Sequence, residues 1–166
     1  MADVFRYWVI DTSSLLGVRE QFGRAGERRV FTALSGLVAK GWLFFPPEVY
    51  HELERGSPSD GLTDDPALDW AKTARTHAEK PANLETVRDV LAVAPELIDP
   101  DKTNEQADPY VLALAIDLRG LGFEVTVVTD DFRDKPNKLS LATGAGMLGV
   151  PSVPLIGFAR IIAAPT

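Results

Sequence analysis

The sequence contains no cysteine. Disulfides and thiolate metal sites are therefore excluded, and the composition suits a reducing cytoplasm, the expected location. Histidine is nearly as scarce: with His51 and His77 alone, a zinc centre built from imidazoles is not expected. No apolar run reaches the roughly 18 residues that a membrane span needs. No basic stretch followed by a long apolar one opens the chain, so neither a membrane partner nor a secretory leader is expected. Positive charge is in deficit, with 17 bases against 24 acids and a formal charge of −7. That balance argues against a general nucleic-acid binder held by a broad basic face. Two local basic clusters remain, Arg24, Arg28 and Arg29 in one stretch and Arg133, Lys135 and Lys138 in another, each readable as an ordinary solvated face. Internal repeats and low-complexity segments are absent.

What is present suits one domain with its own core: 166 residues, 45% hydrophobic and 25% charged. Short apolar runs predict strands over 7–10, 42–45 and 125–129, with a last edge strand over 153–156 interrupted by Pro154. Ser13 or Ser14 can cap a short helix that stops near Gly23. Val30, Leu34, Leu37 and Val38 recur at helical spacing up to Gly41. Pro46-Pro47 opens a short helix, Asp65-Pro66 a longer one, and Leu84, Val87 and Leu91 mark the inner face of a third. Asp108-Pro109 starts the next helix, with Val111, Leu112, Ala115 and Ile116 on its apolar face. A weaker helix over 139–148 is interrupted by Gly144 and Gly146, and a short one over 157–163 ends the chain. The alternation of strands and helices predicts a mostly parallel central sheet covered on both faces, a three-layer α/β/α sandwich. Residues 1–166 form a single domain, in which 57–106 reads as a helical insertion or lid.

Acids recur where these strands end or a helix begins. Asp11 ends the first strand, Glu52 lies in the helix after the second, Asp108 opens a helix, and Asp130 and Asp131 end the third long strand. Ligands in an open parallel sheet bind outside the carboxyl ends of the strands, so these acids can meet in one pocket. Carboxylates gathered there repel one another and suit a hard divalent cation. Each also has a plain structural reading. Asp11 and Asp108 are good helix caps, Glu52 competes with Glu48 and Glu54, and Asp130-Asp131 can be a solvated turn. Ser13, a hydroxyl two residues after Asp11, can orient its carboxylate. Phe132 is expected to pack beneath the site.

Taken together, Val9-Ile10-Asp11-Thr12-Ser13, Glu52-Leu53, Ala107-Asp108 with Ala113 and Ala115, and Val127-Val128-Thr129-Asp130-Asp131-Phe132 resemble the PIN-domain family of metal-dependent nucleases. The segment Leu148-Gly149-Val150-Pro151-Ser152-Val153 is similar to that family's final return to the sheet. The resemblance implies a PIN-like fold in which Asp11, Glu52, Asp108 and Asp131 hold one or two Mg²⁺ or Mn²⁺ ions, with Asp130 as the alternative fourth acid. Ser13 and Thr129 would orient the carboxylates, and Arg133 or Lys135 would bind substrate phosphate. The implied activity is endonucleolytic hydrolysis of single-stranded RNA. A VapC-type toxin in this family would have an antitoxin partner, and homodimers are common. The middle section is longer than in compact VapC-type toxins and resembles PIN-like branches with inserted helices. A catalytically inert PIN-fold protein that binds RNA or a protein partner is the alternative. A phosphatase with Asp11 as nucleophile lacks its usual Asp-x-Asp, because Ser13 holds the third place.

Overall fold

Aromatic and β-branched residues fill one stretch and β-branched residues a second, and the two pair as neighbours in the middle of the sheet. The computed structural model describes residues 6–163. Its strands are β1 (Arg6–Ile10), β2 (Leu43–Phe44), β3 (Glu124–Val128) and β4 (Ser152–Val153). They lie in the order β2-β1-β3-β4, and every pairing is parallel. The β1–β3 register runs from Arg6 opposite Glu124 to Ile10 opposite Val128. Asp11 and Thr129, one residue further on each strand, are thereby delivered side by side. The last strand is an edge strand flanked by Pro151 and Pro154, which cannot donate to a ladder. It stops at Val153, because Leu155, the next residue that could pair with β3, donates its amide to Asp130 Oδ1 instead.

The helices are α1 (Thr12–Leu16), α2 (Val18–Ala39), α3 (Pro47–Gly56), α4 (Pro66–Ala78), α5 (Leu84–Val93), α6 (Asp108–Gly120), α7 (Leu141–Met147) and α8 (Leu155–Ala163). Helix α6 packs across β1 and β3, while α2 packs on β2 and carries α8 against it. Trp8 of β1 meets Phe158 of α8 at 4.7 Å between ring centroids. The result is a three-layer α/β/α sandwich around one apolar core. No described helix is long and apolar enough to cross a membrane.

Several expected boundaries move. Asp11, not Ser13 or Ser14, caps the first helix. The expected stop near Gly23 is a kink inside 18–39, with φ 70° and ψ 175°, a backbone geometry that glycine adopts without a Cβ clash. In α5, Leu84 is 63% exposed, and the buried positions are Val87 and Val90. The stripe continues through buried Ala94 and Leu97, so the helix is rotated away from its first residue.

The section 57–106 is woven into the common core rather than standing off as a lid. Asp65 caps α4 through the Leu68 amide, with Pro66 in the first turn. Trp70 of α4 packs near Phe45 and Phe31, and α5 lies along α6. Phe45 N donates to Ala78 O and Lys80 N donates to Phe45 O, which adds a parallel bridge beside β2.

The glycines of α7 separate into two kinds. A Cβ on Gly144 would meet Leu97 Cδ2 at 2.6 Å and Leu112 Cδ1 at 3.3 Å, whereas one on Gly146 would meet nothing within 4 Å. Gly144 therefore exists for close approach to α6 and the turn at 95–97. Urea denaturation should find Gly144→Ala destabilised by about 1–3 kcal/mol through overpacking. Gly146→Ala should be neutral or stabilised by up to about 1 kcal/mol through helix propensity.

Candidate metal centre

The carboxyl end of the sheet opens into a cleft of about 420 Å³. Asp11, Glu52, Asp108, Asp130 and Asp131 all line it, from segments that are distant in sequence. Asp11 is the deepest, 3% exposed at the junction of β1 and α1. Its Oδ1 accepts the Thr12 amide at 2.7 Å. Its Oδ2 accepts the Ser13 hydroxyl at 2.8 Å and the Thr129 hydroxyl at 3.0 Å. Each hydroxyl also accepts a backbone amide: Asp130 N reaches Ser13 Oγ, and Asp131 N reaches Thr129 Oγ1, both at 3.1 Å. A hydroxyl has one proton to give. Both are spent on Asp11, so the 3.3 Å contact between Ser13 and Thr129 has no proton left to carry a bond. The two side chains fix Asp11 and, through the amides, the turn that bears Asp130 and Asp131.

The two aspartates of that turn do different work. Asp130 Oδ1 accepts the Leu155 amide at the start of α8, and its Oδ2 accepts Gln21 Nε2. Asp131 Oδ2 accepts the Leu141 amide at the start of α7. Asp131 is the one whose charge bears on Asp108. Phe132, expected beneath the site, is 49% exposed. The chain after Asp131 runs outward as an exposed loop there.

On the other side, Val49 and Leu53 bury one stripe of α3 and set Glu52 at the cleft edge. Glu52 Oε1 accepts the Ala107 amide at 2.6 Å. It thus satisfies a free donor at the start of α6, where Ala107 offers no side-chain cap. That bond brings Glu52 beside Asp108. Glu54 bonds instead to the Tyr50 hydroxyl, and Glu48 is half-buried near Glu105; neither lines the cleft.

Asp108 sits inside the first turn of α6 rather than at its cap. Its Oδ2 receives Lys138 Nζ at 2.7 Å, and the same ammonium donates to Leu139 O at 2.6 Å. The two side chains are only 16% and 15% exposed. Lys138 belongs to a basic cluster visible in the sequence, but nothing in its spacing ties it to Asp108. Arg133 and Lys135 are exposed on the cleft rim, joined there by Lys102 from the end of the middle section. Lys102 carries no periodic signal; its loop is held by Gln106, which bonds the Asp99 amide and carbonyl.

The electrostatics follow from this crowding. Burial first, then the charge of Asp108 and Glu52, push the Asp11 carboxyl up to about 7, against the pull of Ser13 and Thr129. Burial also raises Asp108, helped by Asp131 and Glu52 and opposed by Lys138. The donor set is all carboxylate oxygen, which fits Mg²⁺ or Mn²⁺ rather than a softer ion. No hydrogen bond among the described residues reaches Glu52 Oε2, Asp108 Oδ1 or Asp131 Oδ1, so each keeps an oxygen for a ligand. Among the described residues, no three acid or histidine side chains stand close enough to hold an ion without moving.

Residues 8–162 match the model of a family described as a domain of unknown function, DUF4411. The chain belongs to this family. No curated protein matches it.

For this DUF4411 protein the raised Asp11 has a direct consequence for stability. Between about pH 4 and pH 7 the folded state keeps a proton that the unfolded chain, at its ordinary 3.8, has lost. Stability therefore falls as pH rises through that window and levels off above it. Asp60 and Asp134 are held low and act in the opposite sense, but at still lower pH. In chelator, the melting temperature should be roughly 5 °C or more lower at pH 8 than at pH 5. Asp11→Asn should flatten that slope and raise the value at pH 8; an unchanged slope would show that Asp11 is ionised throughout.

Proposed function

We propose that this protein is a metal-dependent endoribonuclease that hydrolyses phosphodiester bonds in single-stranded RNA. The observation that carries the reading is the convergence of Asp11, Glu52, Asp108 and Asp131 at the carboxyl end of a parallel sheet, where Asp11 is buried against its neighbours' charge. The order and spacing of these acids resemble the PIN-domain pattern. Bound Mg²⁺ or Mn²⁺ would supply Lewis-acid charge and a water of lowered pKa. The four carboxylates would hold the ion, with Asp11 fixed in orientation by Ser13 and Thr129. Arg133 and Lys135, with Lys102, would take the backbone phosphates on either side of the cut bond. A single strand can bring its phosphates to such a cleft without the second strand of a duplex.

The wider setting belongs to the same proposal. A cysteine-free sequence suits the cytoplasm, where an RNA-cutting toxin would be restrained by an antitoxin covering the acidic cleft. A homodimer would follow the habit of the resembled family.

The test is cleavage of a mixed single-stranded RNA pool with Mn²⁺, with Mg²⁺ and with EDTA. Wild type should cut with either metal and not with EDTA. Asp11→Asn and Asp108→Asn should each lower the rate by about 100-fold or more. No cutting, together with no metal-induced rise in melting temperature, would favour a non-catalytic binder of RNA or protein. A metal-induced rise without cutting would keep the metal centre and discard the substrate.

A further inference from the structure

The four acids of the cleft have one basic side chain in hydrogen-bond contact with them among the described residues, and it is mounted rigidly. Lys138 ends a tight turn closed by Lys135 N to Lys138 O at 2.8 Å and the reciprocal bond at 3.2 Å. The next residues are pinned as well, Leu139 N on Glu96 O and Ser140 N on the Asp134 carboxylate, each at 2.8 Å. The backbone that carries Lys138 is thus fixed, and from it the ammonium reaches Asp108 Oδ2 and Leu139 O. Asp108 in turn lies next to Glu52 and Asp131 in the field of Asp11. A divalent ion bound by these acids and an ammonium 2.7 Å from one of them are like charges competing for the same carboxylate.

We propose that Lys138 is a positioning residue that serves as the built-in counter-cation of the metal-free site, and that a divalent ion binds only by expelling its ammonium from Asp108. This rests on the metal-centre reading above and adds how loading of that centre is controlled. Lys138 holds Asp108 in place when no metal is bound, and it weakens metal affinity by the work of its own displacement. Once expelled, Nζ adds a cation to the rim formed by Lys102, Arg133 and Lys135.

Calorimetric titration of the full chain with Mn²⁺ alone tests this. Lys138→Met should bind Mn²⁺ about tenfold more tightly than wild type or better, because a competitor has gone. Lys138→Arg keeps the charge and should bind no more tightly than wild type. Lys72→Met, an exposed lysine of α4 outside the cleft, controls for net charge and should leave affinity unchanged. Tighter binding by Lys138→Met shows that the ammonium opposes the ion, and acetylation of wild-type Lys138 with and without Mn²⁺ shows whether the ion drives it from Asp108. Unchanged or weaker Mn²⁺ binding by a folded Lys138→Met would overturn the inference and leave the metal centre standing. Absence of Mn²⁺ binding in every variant would sink the metal centre and the inference together. Should Lys138→Met fail to fold, amine acetylation of wild type read by mass spectrometry decides the matter. Mn²⁺ should raise labelling at Lys138 severalfold, and equal labelling with and without the ion would refute displacement.

Discussion

Repulsion among carboxylates at one end of the sheet is the constraint to which the surrounding structure answers. Two such charges about 4 Å apart cost on the order of 4 kcal/mol at an effective dielectric near 20. Three hydrogen bonds to Asp11, each worth about 1.5–3 kcal/mol to a charged acceptor, would ordinarily hold a carboxylate below its usual range. Here they do not, and the group is raised. Burial and neighbouring charge therefore outweigh a well-made hydrogen-bond shell. Much of the local architecture is compensation: Ser13 and Thr129 spend their single protons on Asp11, Glu52 takes an amide of α6, Asp131 takes an amide of α7, and Lys138 neutralises Asp108.

The same bonds couple the site to the fold. Glu52 joins α3 to the start of α6, Asp131 joins the end of β3 to α7, and Asp130 joins it to α8. These acids act as helix caps supplied from elsewhere in the chain, with one oxygen each, while Glu52 and Asp131 keep the other for the cleft. The structural and functional readings of these residues are thus one arrangement seen from two sides. The middle section takes part in the same way. Its helices enlarge the core, and only its final loop, with Lys102 and Gln106, reaches the cleft.

How much of this was legible in sequence depends on whether a residue's position is set locally. Asp11 and Thr129 could be read because strand ends are local events and the parallel register then makes them neighbours. The sandwich could be read from the alternation of strand and helix. The choice between Asp130 and Asp131 could not, because it turns on which helix start each one reaches. The spacing of the resembled family pointed to Asp131, the residue whose charge bears on Asp108. Lys138 was visible only as one base in a cluster, since its partner lies 30 residues upstream on another element. Phe132 and Leu84 were assigned inward by composition. Phe132 instead opens an exposed loop after β3, and α5 is rotated so that Val87, Val90 and Ala94 form the buried stripe and Leu84 faces out.

Net acidity and a polyanionic substrate are less at odds than the charge of −7 suggests. At physiological salt the screening length is about 8 Å, so a strand in the cleft responds to the cleft and not to the distant surface. Within it, the four clustered acids stand against one buried lysine, and a phosphate approaching the metal-free site meets net negative charge. The rim cations Lys102, Arg133 and Lys135 lie outside that cluster and alone would give only a weak, salt-sensitive hold. Divalent charge at the acids would reverse the sign of the local field where the reacting phosphate must sit. Under the proposed function, divalent charge held by these acids would offset the carboxylate repulsion that adds to burial in raising Asp11, and would make the deepest part of the cleft attractive to phosphate.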